Sequence, residues 1–97
     1  MTVVSLNDTM PVHMGPKQRR TLLAIFEDPV RPNIPWRDIE SMLAAVGAEI
    51  SAGTGSRVRI ALNGVRAVFH RSYPQKETDK GAVKSMRRFL TEARVTP

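Results

Sequence analysis

Cysteine is absent from this 97-residue chain, which excludes a disulfide framework and any thiolate metal site. Aromatic residues are scarce, with three Phe, one Trp and one Tyr. Phe26, Phe69 and Phe89 all sit at apolar-periodic positions and read as core, which leaves no aromatic platform on which bases stack. No apolar run approaches the ~20 residues that cross a bilayer. The opening MTVVSLNDTMPVHMGPKQRR lacks the basic-then-apolar order of a secretory signal. A cytoplasmic protein is the expectation. Histidine is nearly missing too: there are two. His13 falls in residues 1–16, a stretch with no sustained period that reads as a mobile N-terminal tail, where a base cannot be held in place. His70 is the histidine left for acid–base chemistry.

What the chain does have is positive charge. Fifteen Lys and Arg against nine Asp and Glu give +6 at neutral pH. A small basic domain suits nucleic acid, an acidic protein partner or an anionic membrane. The absence of a long basic amphipathic helix free of a tertiary role argues against the membrane. Length favours one domain, residues 17–97.

The most informative stretch is residues 55–70, GSRVRIALNGVRAVFH. Asn63-Gly64 stands between two alternating apolar runs, the signature of a hairpin closed by a two-residue turn in which both residues take positive φ. Such a loop fixes the register: Leu62 faces Val65, Ile60 faces Ala67 and Val58 faces Phe69. These pairs form an apolar face. Strand alternation then puts Arg57 opposite His70, Arg59 opposite Val68 and Arg66 opposite Ala61 on the other face.

Residues 17–27 (KQRRTLLAIFE) carry helix-spaced apolar positions, with Pro16 suited to the first turn. The proline-studded PVRPNIP is a connector. Residues 36–46 (WRDIESMLAAV) place Ile39, Met42, Leu43 and Val46 on one helical face, and Gly47 caps the C-terminal end. Trp36 reads as a packing residue. Residues 48–51 form a short first strand. Ala52-Gly53-Thr54-Gly55 is a flexible turn, since it lacks the Lys-Ser/Thr and following helix of a phosphate loop. After RSYPQKET, Thr78 or Asp79 caps a last helix over residues 80–94. Its apolar stripe includes Val83, Met86, Phe89 and Leu90, and Lys80, Lys84, Arg87 and Arg88 lie on a largely separate side. The order predicts an α+β fold: a three-stranded antiparallel sheet with helices packed on one face. Ile39, Leu43, Val58, Ile60, Leu62, Phe69, Met86 and Leu90 are expected in a single core.

The ordered set GTGSRVRI…FHRSYPQKETDKGAVKSMRRFL resembles the HicA toxins of bacterial toxin–antitoxin pairs, from about Trp36 to the C-terminus. It rests on the helix ending at Gly47, the Gly55-Ser56-X turn into a strand, the histidine ending the next strand, the Lys76-Glu77 loop and the helix starting near Gly81. The resemblance implies the α-β-β-β-α arrangement of double-stranded-RNA-binding domains, here with an extra short N-terminal helix. It also implies metal-independent, cofactor-free mRNA cleavage and neutralisation by a HicB-like antitoxin. The family usually has Gly-Ser-His at the turn, with that histidine taken to be catalytic. This chain has Gly55-Ser56-Arg57, while His70 matches the strand-end histidine.

Metal-free RNA cleavage requires a base, an acid and a cation for the developing phosphorane. Arg57 suits the cation, since a guanidinium binds phosphate in bidentate fashion and stays protonated. His70 suits the proton transfer. His70 and Arg57 are therefore the expected catalytic residues. Ser56, Arg59, Arg66, Arg71, Lys76, Lys84 and Arg87 are expected to contact RNA, and Tyr73 is a further candidate proton donor. Without the resemblance, the residues alone favour a plainer account, in which the sheet arginines and last-helix cations solvate their faces and Ser56 is a turn residue. Nothing supports a Ser–His hydrolase or a metal site at His70. The competing function is a non-catalytic RNA- or protein-binding module of the same fold.

Overall fold

A computed structural model describes residues 14–71 and 77–97. The elements run α1 (Pro16–Ile25), α2 (Trp36–Ala45), β1 (Glu49–Ala52), β2 (Arg57–Leu62), β3 (Val65–His70) and α3 (Lys80–Glu92). This is the expected α+β arrangement, α-β-β-β-α preceded by one extra helix. The sheet is antiparallel in the order β1-β2-β3.

The hairpin has the expected register at all six positions, from Leu62↔Val65 to Arg57↔His70. Asn63 and Gly64 take φ of 51° and 83°, the doubly positive turn that a right-twisted ribbon needs. One further pair extends the ladder: the Arg71 N–H donates to the Ser56 carbonyl at 2.8 Å. β1 lies on the far side of β2, with Ile50 beside Ile60 and Ala52 beside Val58. Glu49, Ser51, Arg57, Arg59, Arg66, Val68 and His70 are consequently on the open face and all exposed.

The helices cover the other face. Ile39, Met42 and Leu43 of α2 and Val83, Met86 and Leu90 of α3 are fully buried, as are Leu22 and Ile25 of α1. An edge-to-face aromatic series binds the layers: Trp36 stands 6.2 Å from Phe69, and Phe69 stands 6.0 Å from Phe89. Such pairs add roughly 0.5–1.5 kcal/mol each beyond their area. Of the eight expected core residues, seven are buried and Val58 is half-buried, because it lies at the open end of the hairpin. Phe26 is half-buried as well, under the Arg87 guanidinium at 5.9 Å.

Element ends differ from expectation for local reasons. Gly47 takes φ of 90°, and the Ala48 N–H turns back to the Leu43 carbonyl at 2.9 Å. That closes α2 in a Schellman motif and uses Ala48 in the cap, so β1 begins at Glu49. The same motif ends α3 two residues early: Arg94 takes φ of 64° and the Val95 N–H donates to the Leu90 carbonyl at 2.9 Å. Helix α1 starts at Pro16, and the Gln18 side chain accepts from the Gly15 N–H at 2.9 Å. It ends at Ile25, after which Phe26 and Glu27 bond back three residues. The tail expected over residues 1–16 falls mostly outside the described residues. Met14, which is described, packs against the core.

Asp79, rather than Thr78, caps α3, accepting from the Ala82 N–H at 2.8 Å. Thr78 is buried instead. Its hydroxyl donates to the Ile34 carbonyl and accepts from the Ile34 N–H, both at 3.1 Å. Backbone bonds between Asn33, Ile34 and Thr78 complete a latch joining the α1–α2 connector to the segment before α3. Thr78→Val keeps the shape and orphans the buried Ile34 N–H, so it should destabilise by about 1–3 kcal/mol. A urea midpoint unchanged or raised in Thr78→Val would show that the hydroxyl is not needed.

Candidate functional site

The site is built at the open end of the hairpin. Arg57 directs both its backbone groups toward the β1 side: its carbonyl accepts from Gly53 at 2.8 Å and its N–H donates to Thr54 at 3.3 Å. Arg57 and His70 are therefore a non-hydrogen-bonded pair, the closer kind, with Cα atoms about 4.5 Å apart. Both side chains are exposed. A third residue joins them. Ser56 Oγ lies 3.0 Å from His70 Nε2. Gly55, at φ of 65°, brings the chain round so that this half-buried serine meets the strand-end imidazole. The contact fixes one ring nitrogen and leaves Nδ1 for other partners.

The open face continues from this trio. A shallow trough lined by Glu49, Ser51, Arg59, Ala61, Arg66 and Val68 crosses it. Three ion pairs are formed among the described residues, Lys17–Asp38, Arg31–Glu27 and Arg71–Glu40. None involves Arg57, Arg59 or Arg66, so the sheet face keeps a net positive charge, with Glu49 the carboxylate set against these three arginines. Val68 is 60% exposed in the middle of that face.

The remaining expected RNA contacts are placed elsewhere, and the sequence-level cluster of Arg59, Arg66, Lys84 and Arg87 is divided. Lys84 is exposed on α3, in the helical layer. Arg87 is committed to the fold: Nε donates to the Ile25 carbonyl at 3.0 Å and Nη2 to the Glu27 carbonyl at 2.6 Å. It caps the end of α1, a tertiary role that helix periodicity does not reveal. Arg71 faces the helical side, as its position opposite Ser56 requires, and Nη1 bonds Glu40 Oε2 at 2.6 Å. Lys76 and Tyr73 lie outside the described residues. No cluster of three or more potential metal ligands occurs among the described residues.

Residues 36–95 match the family model described as the HicA toxin of bacterial toxin–antitoxin systems. The chain belongs to the HicA toxin family. The match begins at the first residue of α2 and ends just past α3, so α1 stands outside it. Among curated proteins and among solved structures, no match to the chain is found. Membership makes this a toxin of a toxin–antitoxin pair and implies an antitoxin partner. No helix among the described residues is long and apolar enough to cross a membrane.

The sequence makes Ser56 an RNA contact or a plain turn residue, but its contact with His70 was visible in principle. Extending the hairpin register one step puts Ser56 beside the His70–Arg71 corner. Replacing Ser56 with Ala should leave the Arg71 N–H to Ser56 carbonyl bond and the fold unchanged while altering the ring. Side-chain ¹⁵N spectra of His70 should show the Nε2 resonance moving and the tautomer balance shifting in Ser56→Ala. Identical ring spectra in both proteins would mean that the contact does not form in solution.

Proposed function

We propose that this toxin binds single-stranded RNA across its open sheet face and cleaves it without a metal, with His70 and Arg57 at the reacting phosphate. The observation that carries the reading is the grouping of His70, Ser56 and Arg57 at one end of an arginine-lined face in a member of a toxin family. The ribose 2′-hydroxyl attacks the adjacent phosphorus as His70 takes its proton, and the bond to the departing 5′ oxygen breaks. The proton returns from His70 to that oxygen, leaving a cyclic phosphate and a free 5′-hydroxyl. Arg57 supplies two parallel donors to the non-bridging oxygens as charge builds on them. Ser56 orients the imidazole. Arg59 and Arg66 hold flanking phosphates, and Val68 offers an apolar contact between them.

Purified protein incubated with labelled RNA and a chelator tests the mechanism. His70→Ala should lower the cleavage rate by ~10²–10⁴-fold, the usual worth of acid–base help, with the fold intact because the ring is exposed. Arg57→Lys should also be damaging, since a point charge does not replace a planar fork. Equal cleavage by wild type and His70→Ala would overturn the assignment.

A second reading is favoured by one specific observation. Arg57 occupies the place of the family's usual histidine, and a binding module would keep the cationic face without the chemistry. In that case wild type leaves RNA intact and Arg57→His gains cleavage.

Binding is tested separately. Each phosphate released from its counterions contributes a salt slope of about −0.7 in log K for single strands. Arg66→Glu should weaken RNA binding and flatten that slope with little change in stability. Lys84→Glu, on the helical layer, should do so much less. Affinity indifferent to salt, or Lys84→Glu as harmful as Arg66→Glu, would place the RNA on another surface.

A further inference from the structure

Beside the Ser56–His70 corner, at the β1 edge of the sheet, is a cleft of about 460 Å³ that borders the phosphate site at Ser56 and Arg57 and extends beyond it to Glu40, Ile50 and Ala52. Its position follows from the register. Ile50, Ala52 and Val58 share the helix-facing side of the sheet, and at the β1 edge that side is uncovered. Ile50 is 37% exposed as a result, and with Leu23 and Val68 it is one of the three exposed large apolar residues among the described residues. The opposite wall is Glu40 of α2, held by Arg71, and Gly55, Ser56 and Arg57 line the end nearest the site.

We infer that this cleft is a nucleobase subsite, and that guanine is the base it accepts. The inference rests on the RNA-binding reading above and names what lies next to the reacting phosphate. Three features of the cleft select the ligand. Its volume is in the range of small-ligand sites. Ile50, Ala52 and Val58, neighbours on one side of the sheet, give it an apolar wall that suits a planar ring. Its recognition group is a carboxylate: Glu40 Oε2 is taken by Arg71 Nη1 at 2.6 Å, and Oε1 has no hydrogen-bond partner among the described residues. A carboxylate accepts, so it needs N–H donors on the base. Guanine offers two adjacent donors, N1–H and the N2 amino group, on one edge. Adenine and cytosine offer a single amino group. Uracil offers one N–H between two carbonyls, which a carboxylate repels. The cationic Arg57 and the Ser56 hydroxyl at the inner end suit the phosphate and ribose attached to the base, so base and scissile phosphate are read from either side of one turn.

The test is titration of ¹⁵N-labelled full-length protein with the four nucleoside monophosphates. Guanosine monophosphate should shift the amides of Ile50, Ala52, Ser56 and Arg71 and bind about tenfold more tightly than uridine monophosphate, the usual scale for hydrogen bonds to a charged group. Glu40→Gln presents an amide donor where the base needs an acceptor and should bring guanosine monophosphate down to the uridine level. Ile50→Thr keeps a β-branched edge residue, leaves the Glu40–Arg71 pair alone, and should weaken all four nucleotides without changing their order. Cross-strand contacts between Ile60 and Ala67 monitor the fold in each variant. Four nucleotides binding alike, or shifts confined to Arg59, Arg66 and Val68, would overturn the inference. Because no step of the titration requires cleavage, a protein that selects guanosine monophosphate and leaves RNA uncut supports the subsite and sinks the nuclease reading alone. A protein that cuts RNA while ignoring the identity of the base does the reverse.

Discussion

Everything at the candidate site depends on the parity of one two-residue turn. Asn63 and Gly64 accept positive φ, and that choice decides which residues of β2 and β3 face which side. With the observed register, Ile60, Leu62 and Phe69 are buried and the arginines are in water. A slip of one residue would drive Arg57 and Arg59 toward the aromatic core and expose Ile60, an exchange of apolar burial for charge desolvation that no local contact offsets. The hydrophobic layer thus enforces the geometry of a site that contains almost no hydrophobic residues. The same parity sends Arg71 inward to Glu40 while His70 points outward, so adjacent residues of one strand end serve opposite faces.

The hairpin, the helices and the core were legible because they are repetitive: alternation and 3.6-residue spacing are carried by many residues at once, and single errors average out. The pairing of Arg57 with His70 was legible for the same reason. What sequence could not disclose were contacts between isolated polar groups distant along the chain. Thr78 looked like a helix cap and is a buried latch to Ile34. Arg87 looked like part of a basic stripe and is bonded to Ile25 and Glu27. Arg71 looked like a free cation and has a carboxylate partner in α2. Each depends on the docking angle of two elements, which no periodicity encodes. Strand β1 was shifted by one residue because a Schellman closure claims Ala48, a cost of helix termination that a propensity reading assigns to the strand.

The family match and the geometry bear on different questions. The match places the chain among toxins over residues 36–95, while the residues at the turn decide what chemistry is open to it. Arginine at position 57 removes a titratable group and adds a fixed charge beside a histidine. In the cleavage proposed above, that arrangement would concentrate proton transfer on His70 and put charge stabilisation on its cross-strand neighbour. Ser56, half-buried between the two, is the natural residue to hold the imbalance in place.

Helix α1 makes the folding unit larger than the family match. It lies outside the matched region, yet its buried face reaches the shared core through Leu22 and Ile25, and its final carbonyls are closed by Arg87 from a helix inside that region. Cutting the chain at the edge of the matched region would therefore not release a self-sufficient domain: it would bare the apolar surface that Leu22 and Ile25 cover and strip Arg87 of both carbonyls it bonds.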